Sequence, residues 1–351
     1  MRQKKQIEEL FNQLDEIYKK TNYNGAYGIV SSNQILHKKT IGLSCFEKKK
    51  EFKTTTQTCL ASVTKQFTAM ALLILASENK INLNAMLAEY FPEYIHATEI
   101  TLLDMIHMAS GIPSLHLTIY EENLARLLEQ GMSEEEAHFT ASLELDEANI
   151  TIESLIDWLN EKNLDFQPGS QFAYSNENYA LLGEIIARVT GKSYGNYLNE
   201  RIFEPLGMSD TSTTTEDSKA VSYRLVDDER RRFETGRLSS ADGGMVSTLE
   251  DMMKWIQGIL NQALLSAVDW ERVFILRNNQ YGFGWMKLGD WYYHGGEYLG
   301  FYSEIFIHRE AKIGKIMLYN LEASKELDQL SMDERSIWRE KFVAAIIPSD
   351  K

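Results

Sequence analysis

Hydrophobic and polar positions follow a helical spacing near the start of the chain and a strand-like spacing directly after it. The apolar residues of the first segment recur every three or four positions, which predicts an amphipathic helix. They are Ile7, Leu10, Phe11, Leu14, Ile17 and Tyr18. Two short runs, 26–30 and 34–41, are then separated by Ser31, Ser32 and Asn33. Polar turn residues between such runs predict a β-hairpin.

The middle of the chain favours helices. From Ser62 to Asn79, apolar residues recur at helical spacing without Pro or Gly, which predicts a long and largely buried helix. Similar spacing predicts helices over residues 100–108, 123–130, 152–161, 178–189 and 248–260. Gly191 would end the fourth of these, and the Ser247 to Glu250 capping-box spacing would start the last.

Strand-like segments return after residue 280. YGFGWMKL, WYYHGG, FYSEIFIH and KIGKIMLYNL are rich in aromatic and β-branched residues, and a final helix is predicted from Asp333 to Ile346. Strands at both ends predict an α+β fold, in which one antiparallel sheet is flanked by N- and C-terminal helices and carries an inserted all-helical subdomain. We expect one domain over residues 1–351, with an α/β part at 1–60 and about 262–351 and a helical part at about 61–261.

Composition and charge exclude several classes of protein. With 44% hydrophobic and 25% charged residues among 351, the chain is of ordinary globular type. Its net charge of −15 argues against nucleic acid as a partner. Two cysteines imply no disulfide framework, and seven scattered histidines without a metal-binding spacing predict neither a metal site nor a cofactor.

The sequence also bears on membranes and location. The longest mainly apolar run, Phe67 to Ala76, is about half the length of a membrane span, so no span is expected. The N-terminus lacks the continuous apolar stretch of a secretory signal. We therefore expect a cytoplasmic location, or export if Met1 replaces a removed signal.

Ser62-Val63-Thr64-Lys65 is the first candidate for chemistry. It opens the long apolar helix and places the lysine one turn beyond the hydroxyl, on the same face. A serine attacks a carbonyl poorly until a neighbouring base accepts its proton, and a lysine can assist. By itself the motif leaves a nucleophile and a simple N-cap serine both open. Ser77 and Lys80 repeat the spacing at a polar helix end, where a solvated surface explains it.

Two further segments carry candidate residues. Tyr174-Ser175-Asn176 lies on a loop after Pro168-Gly169, where a tyrosine near a cation can transfer protons or simply pack. His294-Gly295-Gly296 ends a strand-like run, where glycines let a peptide-like substrate approach the strand edge. Gly191 to Gly195 matches a G-x-S-x-G motif, but a helix precedes it, so a helix end followed by an N-cap is the better interpretation.

In this order, Ser62-x-x-Lys65, Tyr174-x-Asn176 and His294-Gly295-Gly296 resemble the three motifs of the serine β-lactamase and penicillin-binding protein superfamily. The class C β-lactamase and D-alanyl-D-alanine carboxypeptidase branch, with its related esterases and D-aminopeptidases, is most similar. Surrounding segments such as LASVTKQFTAMALL, ITLLDMIHMASGIP and GGMVSTLEDMMKW resemble that branch as well, over about residues 25 to 320.

The resemblance implies a role for each residue. Ser62 would be the acylated nucleophile, with Lys65 and Tyr174 as the proton-transfer pair. Asn176 would bind the substrate amide or acyl carbonyl, and the backbone N–H groups of Ser62 and Glu297 would form the oxyanion hole. His294, Gly295 and Gly296 would line the substrate, although His294 stands where many β-lactamases carry a lysine and Gly295 replaces a hydroxyl residue.

These departures bear on the substrate. A histidine near its reference pKa of about 6.5 is largely neutral at pH 7, and glycine has no hydroxyl, so efficient β-lactam hydrolysis is not expected. The leading hypothesis is a metal-independent serine hydrolase that acts through an acyl-enzyme on small esters, D-amino-acid amides or peptides. The alternatives are a penicillin-binding or β-lactam-sensing protein that acylates with little turnover, a true β-lactamase, and a noncatalytic scaffold.

The segment from Leu115 to Ile150 holds nine acidic residues and one basic residue, Arg126. It follows the MASGIP segment, so it would lie over the substrate-binding cleft that the resemblance implies. Two interpretations stay open: a lid that restricts the acyl or leaving group, and a solvated helical surface.

Overall fold

Strands occur near both ends of the chain. The computed structural model describes residues 2–21, 23–234, 241–322 and 341–346. Its strands are β1 (Gly25–Ser31), β2 (Ile35–Ile41), β3 (Leu43–Cys45), β4 (Lys50–Glu51), β5 (Thr58–Cys59), β6 (Tyr223–Val226), β7 (Glu229–Arg232), β8 (Val246–Ser247), β9 (Met286–Leu288), β10 (Trp291–Tyr298), β11 (Phe301–His308), β12 (Ile313–Tyr319) and β13 (Leu321–Glu322).

Most helices lie between β5 and β9. They are α1 (Arg2–Lys20), α2 (Thr64–Ser77), α3 (Leu102–Ile106), α4 (Leu115–Glu129), α5 (Glu134–Glu147), α6 (Ile152–Asn160), α7 (Asn176–Thr190), α8 (Tyr194–Leu198), α9 (Glu204–Leu206), α10 (Leu249–Leu260), α11 (Ala267–Val273) and α12 (Val343–Ile346). None of these helices combines the length and the apolar character needed to cross a bilayer.

The main sheet has six antiparallel strands in the order β2-β1-β12-β11-β10-β9. The N-terminal hairpin thus pairs through β1 with the C-terminal meander, which confirms the predicted α+β sheet closed by both ends of the chain. Alternation along β1 separates two faces: Tyr27 and Ile29 pack with residues of α1, while Gly28 faces Met253 of α10. One face is therefore covered by α1 and the other by α10.

Helix α2 lies in the core, where it carries the site. From Thr64 to Leu75 every side chain is buried, consistent with its apolar sequence. Neighbouring helices have the expected local boundaries. Gly191 ends α7 in the left-handed conformation, with φ of +67°, and the Ser193 side chain caps α8. This confirms the helix-end interpretation of the G-x-S-x-G match.

Some predicted boundaries differ from the structure. Helix α10 is capped by Thr248, whose hydroxyl accepts from Asp251 N at 3.1 Å, so the predicted cap at Ser247 was wrong; Ser247 belongs to β8. Helix α4 begins eight residues before the predicted 123, because Ser114 supplies an N-cap. Most of the final predicted helix lies outside the described residues. The division of the chain into α/β and helical parts stays a prediction.

Candidate active site

Ser62 lies at a sharp turn that leads into α2. The turn, Ala61–Val63, is a single 3-10 turn, and Ala61 has a φ of +47°. A non-glycine residue in this left-handed region is strained, and such residues cluster at functional sites. Ser62 is partly exposed, whereas its neighbours from Thr58 to Leu75 are buried. The strained turn thus presents one hydroxyl at the surface of an otherwise buried segment.

Lys65 lies one turn after Ser62, with none of its surface exposed. Its Nζ is 3.0 Å from Ser62 Oγ, 2.8 Å from Asn176 Oδ1 and 2.6 Å from the carbonyl oxygen of Asp242. An ammonium group has three N–H donors, so these three acceptors satisfy it completely. The predicted convergence of Ser62, Lys65 and Asn176 is therefore present in the structure.

Tyr174 lies on the loop before α7, beside the lysine. Its side chain is 37% exposed, and the Lys65 ammonium is 5.0 Å from the centre of the tyrosine ring. This distance is typical of a cation–π contact. Among the described residues, no hydrogen bond joins the phenol oxygen to Lys65 or Ser62. The structure thus brings Tyr174 to the site through its ring, and proton transfer by the phenol stays a prediction.

Strand β10 passes directly behind the nucleophile. A Cβ atom on Gly296 would lie 2.3 Å from the carbonyl oxygen of Leu60 and 2.9 Å from the backbone nitrogen of Ser62. Only glycine permits this approach. Glu297 follows on the same strand and lines the cavity together with Ser62. The backbone of β10 is therefore next to Ser62 N, as an oxyanion hole formed with Glu297 N requires.

His294 is buried at the other end of this segment, with 1% of its surface exposed. Its Nδ1 donates to the carbonyl oxygen of Gly295 at 2.6 Å, and its Nε2 accepts from the Tyr281 hydroxyl at 2.8 Å. Burial, assisted by the charge of Lys65, lowers the pKa of His294 to about 3. His294 is therefore neutral with both ring nitrogens occupied, and substrate binding by its side chain stays a prediction.

A cavity of about 1230 Å³ opens over Ser62. Asn176 and Glu297 line it together with Ser62, as do residues of α4 and α5. Five carboxylate residues and one arginine are among the lining residues: Asp146, Glu184, Asp217, Asp242, Glu297 and Arg224. The cavity is thus rich in negative charge. Within the described residues, no group of three or more His, Cys, Asp or Glu side chains could hold a metal ion.

The acidic segment 115–150 forms an antiparallel pair, α4 and α5, that reaches across to the sheet. The Tyr298 hydroxyl at the end of β10 donates to Asp146 of the segment. Phe139 of α5 stacks on Phe233 with ring centres 4.5 Å apart. Arg231 of β7 forms an ion pair with Glu136 at 3.0 Å. The segment therefore contacts the end of β10 and the region of β7, and the lid interpretation stays a prediction.

Sequence reasoning missed several residues of this site. The Asp242 carbonyl and the Tyr281 hydroxyl come from distant parts of the chain and belong to no short motif. His116, which lines the cavity, also pairs with the buried Glu177. Only the position of Glu177, directly after Asn176, gave any indication of a role.

Comparison with known proteins identifies the family. Residues 8–335 match the family described as Beta-lactamase. This chain belongs to the β-lactamase family. The match extends over nearly all of the described structure, including Ser62, Lys65 and the β10 segment, so the β-lactamase-like serine hydrolase fold and the predicted resemblance are both confirmed.

Individual relatives are more distant. Protein Flp of Staphylococcus aureus (strain MRSA252) is 28% identical over 314 residues, which are 84% of this chain and 58% of Flp. The chain thus spans a little over half the length of these Flp relatives. Penicillin-binding protein 4* of Bacillus subtilis (strain 168) is 23% identical, with 99% of this chain and 79% of that protein covered.

Solved structures share the fold. D-amino acid amidase from Ochrobactrum anthropi SV3 in complex with D-phenylalanine has a TM-score of 0.75 and 22% identity, covering 96% of this chain and 99% of the amidase. FmtA from Staphylococcus aureus also has a TM-score of 0.75, with 19% identity over 97% of this chain and 90% of FmtA. At these identities the likeness establishes the fold alone.

Proposed function

We propose that this β-lactamase family member is an acyl-enzyme hydrolase with Ser62 as its nucleophile. Ser62 Oγ attacks the substrate carbonyl, its proton passes to the Lys65 and Tyr174 pair, and the leaving group takes a proton from the same pair. Water then releases the acyl group. The proposal depends on one observation above all: Lys65 Nζ is bonded to both Ser62 Oγ and Asn176 Oδ1, and β10 lies against the backbone nitrogen of Ser62.

Small esters, D-amino-acid amides and short peptides are the proposed substrates. The buried, neutral His294 supplies no cation for a substrate carboxylate, and the cavity carries several carboxylates of its own. Both features disfavour the anionic β-lactams and favour neutral or amine-bearing substrates. The similarity of fold to a D-amino acid amidase is compatible with this class.

A penicillin-binding or β-lactam-sensing protein is the second candidate. It is favoured by the relative Penicillin-binding protein 4* and by the same nucleophile arrangement, which would also form a stable acyl adduct. A true β-lactamase is disfavoured by the neutral His294 and by the missing hydroxyl at Gly295. The cytoplasmic location expected from the sequence stays a prediction.

A substrate panel with the native chain and Ser62→Ala separates these functions. The panel contains a nitrophenyl ester, a D-amino acid nitroanilide and penicillin, each followed by product absorbance and by intact mass. We expect ester and anilide turnover that Ser62→Ala abolishes. A lasting penicillin adduct without turnover of any substrate would favour the sensor, and turnover that survives in Ser62→Ala would refute the proposal.

A further inference from the structure

A second histidine faces the cavity over Ser62. His116, in the first turn of α4, lines that cavity, and 27% of its side chain is exposed. A carboxylate with none of its surface exposed, Glu177, holds it from behind. Glu177 Oε1 accepts from His116 Nδ1 at 2.7 Å and from the His116 backbone nitrogen at 2.9 Å. One buried oxygen thus holds both the ring and the backbone of His116.

This arrangement determines which nitrogen of the ring is free. An ionised carboxylate can only accept, so the proton shared with Glu177 belongs to Nδ1. Nε2 is then the nitrogen that gains or loses a proton, and no described residue bonds it. A carboxylate that orients an imidazole in this way is what a histidine general base requires. Glu177 is itself held by Ser175 Oγ at 2.7 Å, within the Tyr174-Ser175-Asn176 loop.

The hydrolytic half of an acyl-enzyme cycle needs a base for water. Lys65 Nζ is already bonded to Ser62 Oγ, Asn176 Oδ1 and the carbonyl oxygen of Asp242. These three contacts surround Nζ, so a water molecule finds no free position on it. His116 is the one histidine among the described residues that line the cavity.

We propose, on the basis of the proposed acyl-enzyme function, that His116 is a further catalytic residue, oriented by Glu177, that activates water for deacylation. The water oxygen bonds to the acyl carbon while Nε2 takes the water proton. The bond from that carbon to Ser62 Oγ then breaks, Oγ takes a proton from the Lys65 and Tyr174 pair, and the proton on His116 restores that pair. The acid product leaves, and the enzyme regains its starting state.

The surroundings of His116 are consistent with this role. Burial disfavours its charged form, but the hydrogen bond from Nδ1 and the charge of Glu177 outweigh burial and raise the pKa of His116. Asp242 acts in the same direction, and Lys65 on α2 opposes it. These groups raise the pKa of His116 above its ordinary value, so its imidazole is a stronger base than a free one.

Burst kinetics with a nitrophenyl ester test the proposal, because acylation releases the chromophore before water acts. In His116→Gln we expect a burst of about one equivalent and a kcat lower by about 100-fold, with the acyl adduct accumulating in intact mass. The rise of kcat with pH through the His116 ionisation should disappear. Glu177→Gln should keep the burst and move that rise to lower pH.

His138→Gln, on α5, is the control and should match the native chain, because His138 bonds Tyr120 and does not line the cavity.

Three outcomes would overturn the assignment: native kcat in His116→Gln, equal loss of burst and kcat, or a change confined to KM. If thermal unfolding shows that His116→Gln is destabilised, the pH profile of Glu177→Gln decides in its place, and an unmoved rise refutes the proposal. Ester turnover that survives in Ser62→Ala would instead refute the Ser62 mechanism itself.

Discussion

At the scale of single residues, the two glycines of β10 have different surroundings. A Cβ on Gly296 would meet the carbonyl of Leu60 and the nitrogen of Ser62, whereas a Cβ on Gly295 would have Ser303 O, at 4.0 Å, as its nearest contact. We expect Gly296→Ala to lower the free energy of unfolding by about 1–3 kcal/mol, as overpacking does elsewhere. Chemical denaturation measures this loss.

Gly295→Ala is the matched substitution on the same strand. It should leave the free energy of unfolding within about 0.5 kcal/mol of the native value, because the added methyl group meets only an ordinary contact. Equal stability losses in the two variants would contradict the close approach of β10 to Ser62.

His294 predicts an acid sensitivity of the fold. Burial, with the charge of Lys65, lowers its pKa to about 3, whereas in the unfolded chain its pKa is near the ordinary 6.5. The unfolded state therefore binds more protons between these values, and stability falls as the pH decreases below about 6.5. From pH 7 to pH 5 this one residue should cost about 2 kcal/mol.

Urea unfolding of the native chain and of His294→Gln at both pH values isolates this contribution. The native chain should lose about 2 kcal/mol more than the variant on acidification, because glutamine does not titrate. A variant with the same pH dependence as the native chain would show that His294 is accessible to protons in the folded state.

How far single residues could be predicted depended on sequence separation. Ser62 and Lys65 lie one helical turn apart, so local spacing was sufficient to pair them. The carbonyl of Asp242, 177 positions from Lys65, could not be predicted, because any backbone oxygen can accept a hydrogen bond and only folding selects one. The buried state of His294 likewise depends on Tyr281, which belongs to no motif.

At the scale of elements, the α4 and α5 pair gives a test of the lid. Phe139 of α5 stacks on Phe233, which follows β7. Removing this ring in Phe139→Ala should loosen the pair and raise kcat/KM for a long-chain ester relative to an acetyl ester, by about threefold or more. Such a change corresponds to roughly 0.7 kcal/mol, well within the energy of one aromatic contact. Parallel assays of the two esters measure it.

Leu128→Ala on the exposed side of α4 is the control for this prediction. It removes an apolar side chain from the same pair without touching Phe233, so the ratio of the two rates should not change. An unchanged ratio in Phe139→Ala as well would favour the solvated-surface interpretation of residues 115–150.

Elements were predicted well where their pattern was local. Alternating and β-branched runs located β1, β2 and the strands after residue 280, and unbroken apolar spacing located α2. The start of α4 was missed although Ser114 is a local N-cap, and its first turn is also bonded to Glu177 through the His116 backbone nitrogen, 61 positions away. Boundaries that depend on tertiary partners cannot be seen in a local window.

At the scale of the whole molecule, charge is concentrated near the cavity. The chain has a net charge of −15, the α4 and α5 segment alone contributes nine acidic residues, and five carboxylate residues line the cavity. Such a distribution attracts cations and repels anions over distances near the Debye length. Under the proposed function, this charge should favour amine-bearing substrates over anionic ones.

Three nitrophenyl esters of equal acyl length, carrying an amine, no charge or a carboxylate at the far end, test this selection. At low salt we expect kcat/KM to decrease in that order. The amine and carboxylate esters should differ by about tenfold or more, because the negative cavity attracts the amine ester and repels the carboxylate ester. Raising the ionic strength from about 0.01 to 0.5 M shortens the Debye length from about 30 Å to a few Å, so the ratio should approach one while the neutral ester changes little. A carboxylate ester that is hydrolysed as fast as the amine ester at low salt would show that the preference for amine-bearing substrates is wrong.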